Sequence, residues 1–264
     1  MQKKIYPLPT TSIYGITSGE GIPVICMHGI TANAHIFEPI MDLLSDQFHV
    51  ISIDQRGHGR SGRPPTYEGE DFAADIVALI EELNRGPVIL LGHALGARNA
   101  FSAANRYPQH VRGVVAVDFT PFIEAEILEQ LETRVISGNR RFADTEEIMA
   151  YLSQRYPLLP PEAIQRRADY GYRLADDGYR PLADDKAMVL TAAGLRQDLE
   201  EEVKQLSLPT ILVRGASSKL VSEAAWEKTR QLRPDLEAVE ISRVDHYVPE
   251  VDPFAVATVV RRML

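Results

Sequence analysis

Short apolar runs bounded by turn residues alternate along the chain with stretches in which apolar positions recur every three or four residues. The runs Ile13–Thr17, Val24–Met27, Val50–Ile53, Val88–Leu91, Val114–Val117, Ile211–Val213 and Ala238–Ile241 are rich in β-branched residues. Near-continuous apolar character of this kind belongs to strands buried on both faces. Helical periodicity fills the intervals, so the pattern predicts a mostly parallel sheet with helices on both sides, an α/β class. An alanine-rich helix is predicted over Ala97–Tyr107, reached from strand Val88–Leu91 through a turn flanked by Gly92 and Gly96.

Between Thr120 and Leu206 the strand-like runs stop and amphipathic helical segments take over, broken by Pro157, Pro160-Pro161 and the Asp176-Asp177-Gly178 turn. The expectation is a core formed by residues 1–121 and 205–264 and an all-helical insertion over 122–204. Inserted at the carboxyl ends of parallel strands, it is placed to act as a lid over the crevice where such sheets bind ligands. The plainer alternative is a helical elaboration that meets no ligand.

Composition narrows the partners. At 264 residues, 45% hydrophobic and 25% charged, the chain suits one α/β core with an insertion. A net charge of −9 argues against a nucleic-acid groove or an anionic membrane surface. The start Met1-Gln2-Lys3-Lys4-Ile5 has no apolar stretch behind its lysines, and no run approaches membrane-spanning length, so a soluble, cytoplasmic protein is expected. The single cysteine, Cys26, excludes a disulfide framework and falls in a strand pattern, as a buried thiol would. A homodimer is left open.

In so acidic a chain an inward-facing arginine is notable. Across the predicted helix Ile123–Ile136, Ile127 and Leu131 define a stripe that Arg134 continues; in the next helix Ile148 and Leu152 are followed on the same face by Arg155. Each taken alone reads as a snorkelling side chain or an ion pair. Together, beside Tyr156, they suggest capture of one or two carboxylates of a small-molecule substrate by guanidinium forks. Arg140, Arg141, Arg166, Arg167 and Arg173 show no such placement.

Four motifs close successive predicted strands: Met27-His28-Gly29-Ile30, Asp54-Gln55-Arg56-Gly57-His58-Gly59, Gly92-His93-Ala94-Leu95-Gly96 and Asp245-His246-Tyr247. In this order the chain resembles the α/β-hydrolase family from end to end. The third motif matches the family's G-x-S-x-G nucleophile elbow with Ala94 at the serine position. The resemblance implies a serine-type hydrolase needing no metal or organic cofactor, with His246 as base and the N–H groups of Ile30 and Leu95 as oxyanion donors. His28 and His93 read as structural or pocket-lining; His35, His49, His58 and His110 have no metal-ligand spacing. The usual acid position, in a Gly-x-x-Asp turn, reads Gly215-Ala216-Ser217-Ser218 here. Asp118, ending the preceding strand, takes that role instead, against the alternative of a turn or capping aspartate; Asp245 is too near His246 in sequence to face it.

More narrowly, Val117-Asp118-Phe119-Thr120-Pro121, Arg155-Tyr156-Pro157, Arg180-Pro181-Leu182 and the stretch Arg214–Ser222 resemble family members that cleave an enamide bearing two carboxylates. That likeness implies Asp118 as the triad acid and places Arg134, Arg155, Tyr156 and Ser218 around the substrate carboxylates. The expectation is therefore an amidohydrolase, present here as a nearly inert form in which a serine has been replaced by Ala94 to trap a ligand, with natural loss of the serine as the alternative. The alternatives are an esterase or lactonase, a non-catalytic receptor that keeps the pocket, and a cofactor-free oxygenase using the His/Asp pair.

Overall fold

A computed structural model describes all residues, 1–264. Ten strands are formed: β1 Gln2–Pro7, β2 Ser12–Ser18, β3 Ile22–Met27, β4 Phe48–Ile53, β5 Val88–His93, β6 Val111–Val117, β7 Tyr172–Ala175, β8 Gly178–Pro181, β9 Thr210–Gly215 and β10 Glu237–Ile241. The helices are α1 Glu38–Leu44, α2 Gly69–Leu83, α3 Leu95–Arg106, α4 Ala125–Gly138, α5 Thr145–Arg155, α6 Pro161–Gly171, α7 Asp185–Gly194, α8 Glu200–Gln205, α9 Glu223–Leu232, α10 Val248–Val251 and α11 Pro253–Arg261.

Eight strands form one sheet in the order β1-β2-β4-β3-β5-β6-β9-β10. The pairs made by β1 with β2 and by β2 with β4 are antiparallel; the others are parallel. Alternate side chains of each central strand feed opposite cores. Val88 and Leu90 join Ile76, Leu79 and Phe101 of α2 and α3, while Ile89 and Leu91 join Ile40, Leu44 and Val260 of α1 and α11. Apolar demand on both faces is what makes these strands legible as unbroken runs.

The insertion between β6 and β9 is not all-helical. Strands β7 and β8 pair as an antiparallel hairpin whose turn ends at Gly178, held at φ +126°. Phe142 completes this small sheet by exchanging both backbone hydrogen bonds with Tyr179, at 2.9 and 2.7 Å. The Asp176-Asp177-Gly178 turn, expected to break a helix, instead closes a hairpin. Strand β1 was also unforeseen, because only Tyr6 of its six residues is buried and no alternation marks it. No helix is long and apolar enough to cross a membrane.

Candidate active site

The turn from β5 into α3 is tight enough to require small neighbours. A Cβ on Gly96 would lie 2.0 Å from the Met27 carbonyl oxygen, and one on Gly92 would lie 2.4 Å from Ala97 N. Between them Ala94 is held at φ 50°, ψ −110°, its N–H bound to Val117 O at 2.9 Å. A non-glycine residue in that region is strained, at a cost of order 1–3 kcal/mol. The turn lifts residue 94 off the strand and starts α3 at Leu95.

Asp118 leaves the end of β6 in a left-handed conformation, φ 49°, and is 2% exposed. Its carboxylate takes three donors: Gly215 N–H on Oδ1 at 2.9 Å, and Ser218 Oγ–H and His246 Nδ1–H on Oδ2, each at 2.6 Å. With Nδ1 committed to the carboxylate, the imidazole presents Nε2 to the cavity. His93 Nε2 donates to the His246 carbonyl at 2.8 Å and fixes the loop that carries the ring. Burial first, then the neighbouring His246 ring, holds the His93 pKa well below the ordinary value, so His93 is neutral.

The loop after β3 approaches the turn closely, since a Cβ on Gly29 would lie 3.2 Å from His93 Nδ1 and 3.4 Å from Ala94 Cβ. His28 anchors that loop. It accepts Gln55 N–H on Nε2 at 3.1 Å, its carbonyl takes Gln55 Nε2 at 2.7 Å, and Asn99 of α3 holds the Gln55 side chain at 2.7 Å. Ile30, which follows, and Leu95 donate their backbone N–H groups to no protein acceptor, as an oxyanion hole requires.

Two cavities meet at His246, and both are lined by Ile30, Leu131 and Leu220. One is largely apolar and runs over Ala94 and Leu95 to Phe119, Ile123 and Leu195. The other is cationic and is walled by Arg134, Arg155, Tyr156, Arg167 and Lys219. An outer chamber adjoins the second, sharing Arg155, Tyr156 and Arg167 with it.

The two arginines expected to face inward do so. Arg134 Nη2 donates to the Arg155 carbonyl at 3.0 Å and Arg155 Nη2 returns a bond to the Arg134 carbonyl at 2.8 Å, clasping α4 to α5. Whereas Arg140, Arg167, Arg180 and Arg196 hold carboxylates, these two pair with none. Arg155 Nε also donates to the Tyr156 hydroxyl at 3.2 Å. Burial would raise the Tyr156 pKa, but the charges of Arg167, Arg155 and Arg134 outweigh it and leave the phenol below its ordinary value.

Two expectations need correction. Ser218 lines neither cavity; its hydroxyl proton goes to Asp118 and its oxygen accepts Val221 N–H at 3.2 Å, so it braces the acid rather than a substrate carboxylate. Arg167, dismissed on its sequence position, is 9% exposed and lines the cationic cavity. Its signal was present: Ala163, Ile164, Arg167 and Ala168 are the buried positions of α6, one helical stripe. Glu250 and Tyr247, which hold Arg167 in place, had no such signal.

A family model described as alpha/beta hydrolase fold matches residues 22–253. The chain is 52% identical over 236 residues to the 2-(acetamidomethylene)succinate hydrolase of Mesorhizobium japonicum, covering 89% of this chain and 85% of that one. It also superposes on the crystal structure of an E-2-(acetamidomethylene)succinate hydrolase with a TM-score of 0.97 at 47% identity, over 99% of this chain and 98% of the other. A thioesterase domain from the curacin biosynthetic pathway matches with a TM-score of 0.84 at 25% identity, over 99% of each chain.

Proposed function

The chain belongs to the α/β-hydrolase family, and from that premise we propose that its pocket is built for a small amide or ester bearing carboxylates, of the kind named for its Mesorhizobium relative. The observation that carries this reading is the meeting of two features in one cavity. The Asp118–His246 pair opens into it through His246, and Arg134 and Arg155, free of any carboxylate partner, line the same space.

With serine at position 94, His246 Nε2 would take the hydroxyl proton as Oγ attacks the acyl carbon. The N–H groups of Ile30 and Leu95 would hold the developing oxyanion. Collapse would break the C–N or C–O bond, the leaving group would take its proton from the imidazolium, and water would release the acyl group by the same steps. The guanidiniums fix the carboxylate end, so that the acyl group falls over residue 94. Ala94 supplies no nucleophile. We read it as a replaced serine, and the chain as it stands as a binder with at most residual turnover. Ala94 equally favours a second reading, a receptor that keeps the pocket and has no chemistry.

Changing Ala94→Ser separates the two. Hydrolysis of 2-(acetamidomethylene)succinate rising by at least about 10³-fold supports the enzyme. Tight binding with no gain in turnover supports the receptor. Equal turnover of the diacid and its dimethyl ester removes carboxylate capture from either reading.

A further inference from the structure

Arg167 and Glu250 form a buried pair at the cavity wall, 9% and 3% exposed, with Nε to Oε1 at 2.9 Å and Nη2 to Oε2 at 2.5 Å. The guanidinium lies against both Tyr156, 4.4 Å from its ring centroid, and Tyr247, at 5.1 Å, two rings that meet edge to face. Tyr247 is the chain neighbour of His246, so the pair ties α6 to the loop that carries the imidazole. The third nitrogen, Nη1, donates to no protein group, yet it is not among the enclosed polar atoms lacking a partner. It therefore has open space in front of it, where Arg167 lines both the cationic cavity and the outer chamber.

A buried ion pair is weak as a source of stability, because desolvation of both charges offsets most of the attraction. Its charge balance has a clearer consequence for the pocket. Of the three guanidiniums in its wall, those of Arg134 and Arg155 have no carboxylate partner, while Glu250 cancels the charge of Arg167 without using Nη1; the ammonium of Lys219, on an exposed residue, is screened by water.

We propose that Arg167 is a third anion-binding residue, presenting Nη1 to a substrate carboxylate, and that Glu250 sets the charge of the ligand by cancelling one of three guanidiniums. The pocket is thereby matched to a dianion. The fork on Glu250 holds the guanidinium plane, and Nη1 bonds a carboxylate oxygen at the junction of the two spaces. This rests on the carboxylate-binding function proposed above and deepens it.

The Ala94 chain allows the test to be made by calorimetric binding, with succinate as the charged probe and dimethyl succinate as the neutral one. Glu250→Gln keeps an acceptor for the fork and removes the negative charge. Succinate should bind about five- to tenfold more tightly, with dimethyl succinate unchanged. A pair that only braces the fold would give the opposite sign, looser binding of both probes. The double change Arg167→Met with Glu250→Gln removes the pair without stranding a charge and should weaken succinate at least about tenfold. Should Glu250→Gln fail to fold, Arg167→Lys keeps the charge, cannot supply the fork together with a free nitrogen, and should weaken succinate to a similar degree. Unchanged or weaker succinate binding in Glu250→Gln, or unchanged binding in the other variants, overturns the assignment. If the parent chain prefers succinate and Glu250→Gln does not tighten it, only the role of Arg167 and Glu250 falls; if the parent shows no preference, the carboxylate pocket falls with it.

Discussion

Asp118 and His246 stand 128 residues apart in the chain and 2.6 Å apart in space, carboxylate oxygen to imidazole Nδ1. That bond fixes the tautomer that leaves Nε2 free at the cavity which Ala94 also lines, and it is made at the end of β6 rather than after β9. In the Ala94→Ser protein, Asp118→Asn should lower kcat by about 10⁴-fold with little change in KM, because an amide leaves the geometry while presenting the wrong partner to Nδ1. A fall under tenfold would show that the aspartate is a turn residue.

Ser218→Ala tests which partner the hydroxyl serves. Losing one of three donors on a buried carboxylate weakens its hold on the imidazole, by about 1 kcal/mol for a single hydrogen bond. In the Ala94→Ser protein kcat should drop roughly five- to tenfold and KM for the diacid should stay constant. A rise in KM alone would return Ser218 to the substrate.

Arg134→Met and Arg155→Met should each raise the dissociation constant for succinate at least about tenfold and leave dimethyl succinate nearly unaffected. Each guanidinium also binds the other's carbonyl, so the double variant should lose less than the product of the two single effects. Equal losses for charged and neutral ligands would mean that the clasp matters and the charges do not.

Stability should fall as pH drops below about 6.5. Burial lowers the pKa of His28 and His93 well below normal and brings His58 to about 4. Between about 4 and the unfolded value of about 6.5 the unfolded chain binds protons that the folded chain refuses, so the slope of stability against pH is positive there. For His58 alone the integral is on the order of 3 kcal/mol. Asp54, raised to about 6 mainly by burial, works in the opposite sense as pH falls toward its unfolded value, but it is one group against three. Urea midpoints measured from pH 7 to pH 5 should decrease, and His58→Gln should flatten the curve.

Relieving the elbow should stabilise the protein. Ala94→Gly removes the Cβ from a conformation of φ 50°, ψ −110°. It should raise stability by about 1 kcal/mol net of glycine's larger unfolded-state entropy, some 2–4 °C in Tm. A lower Tm would show that the methyl group packs better than the turn is strained.

The central strands were legible because both faces are buried, and the resemblance of the motifs at their carboxyl ends to those of α/β-hydrolases then pointed to residues 94, 118 and 246. Arg134 and Arg155 were legible for a related reason, a charge riding on an apolar helical stripe. What escaped depended on contacts between remote segments. Ser218 meets Asp118 across 100 residues and Arg167 meets Glu250 across 83, and periodicity does not register such pairings. The β7–β8 hairpin escaped because its short strands are half-exposed and carry no alternation.

The kinked backbone at residue 94 has an evolutionary corollary. Alanine and serine codons, GCN and TCN, differ only in their first letter, and the Asp118–His246 pair already opens on the cavity that the methyl group lines. A gene for this sequence is one point mutation from placing a hydroxyl in a ready-made setting, without any intermediate that must first learn to fold.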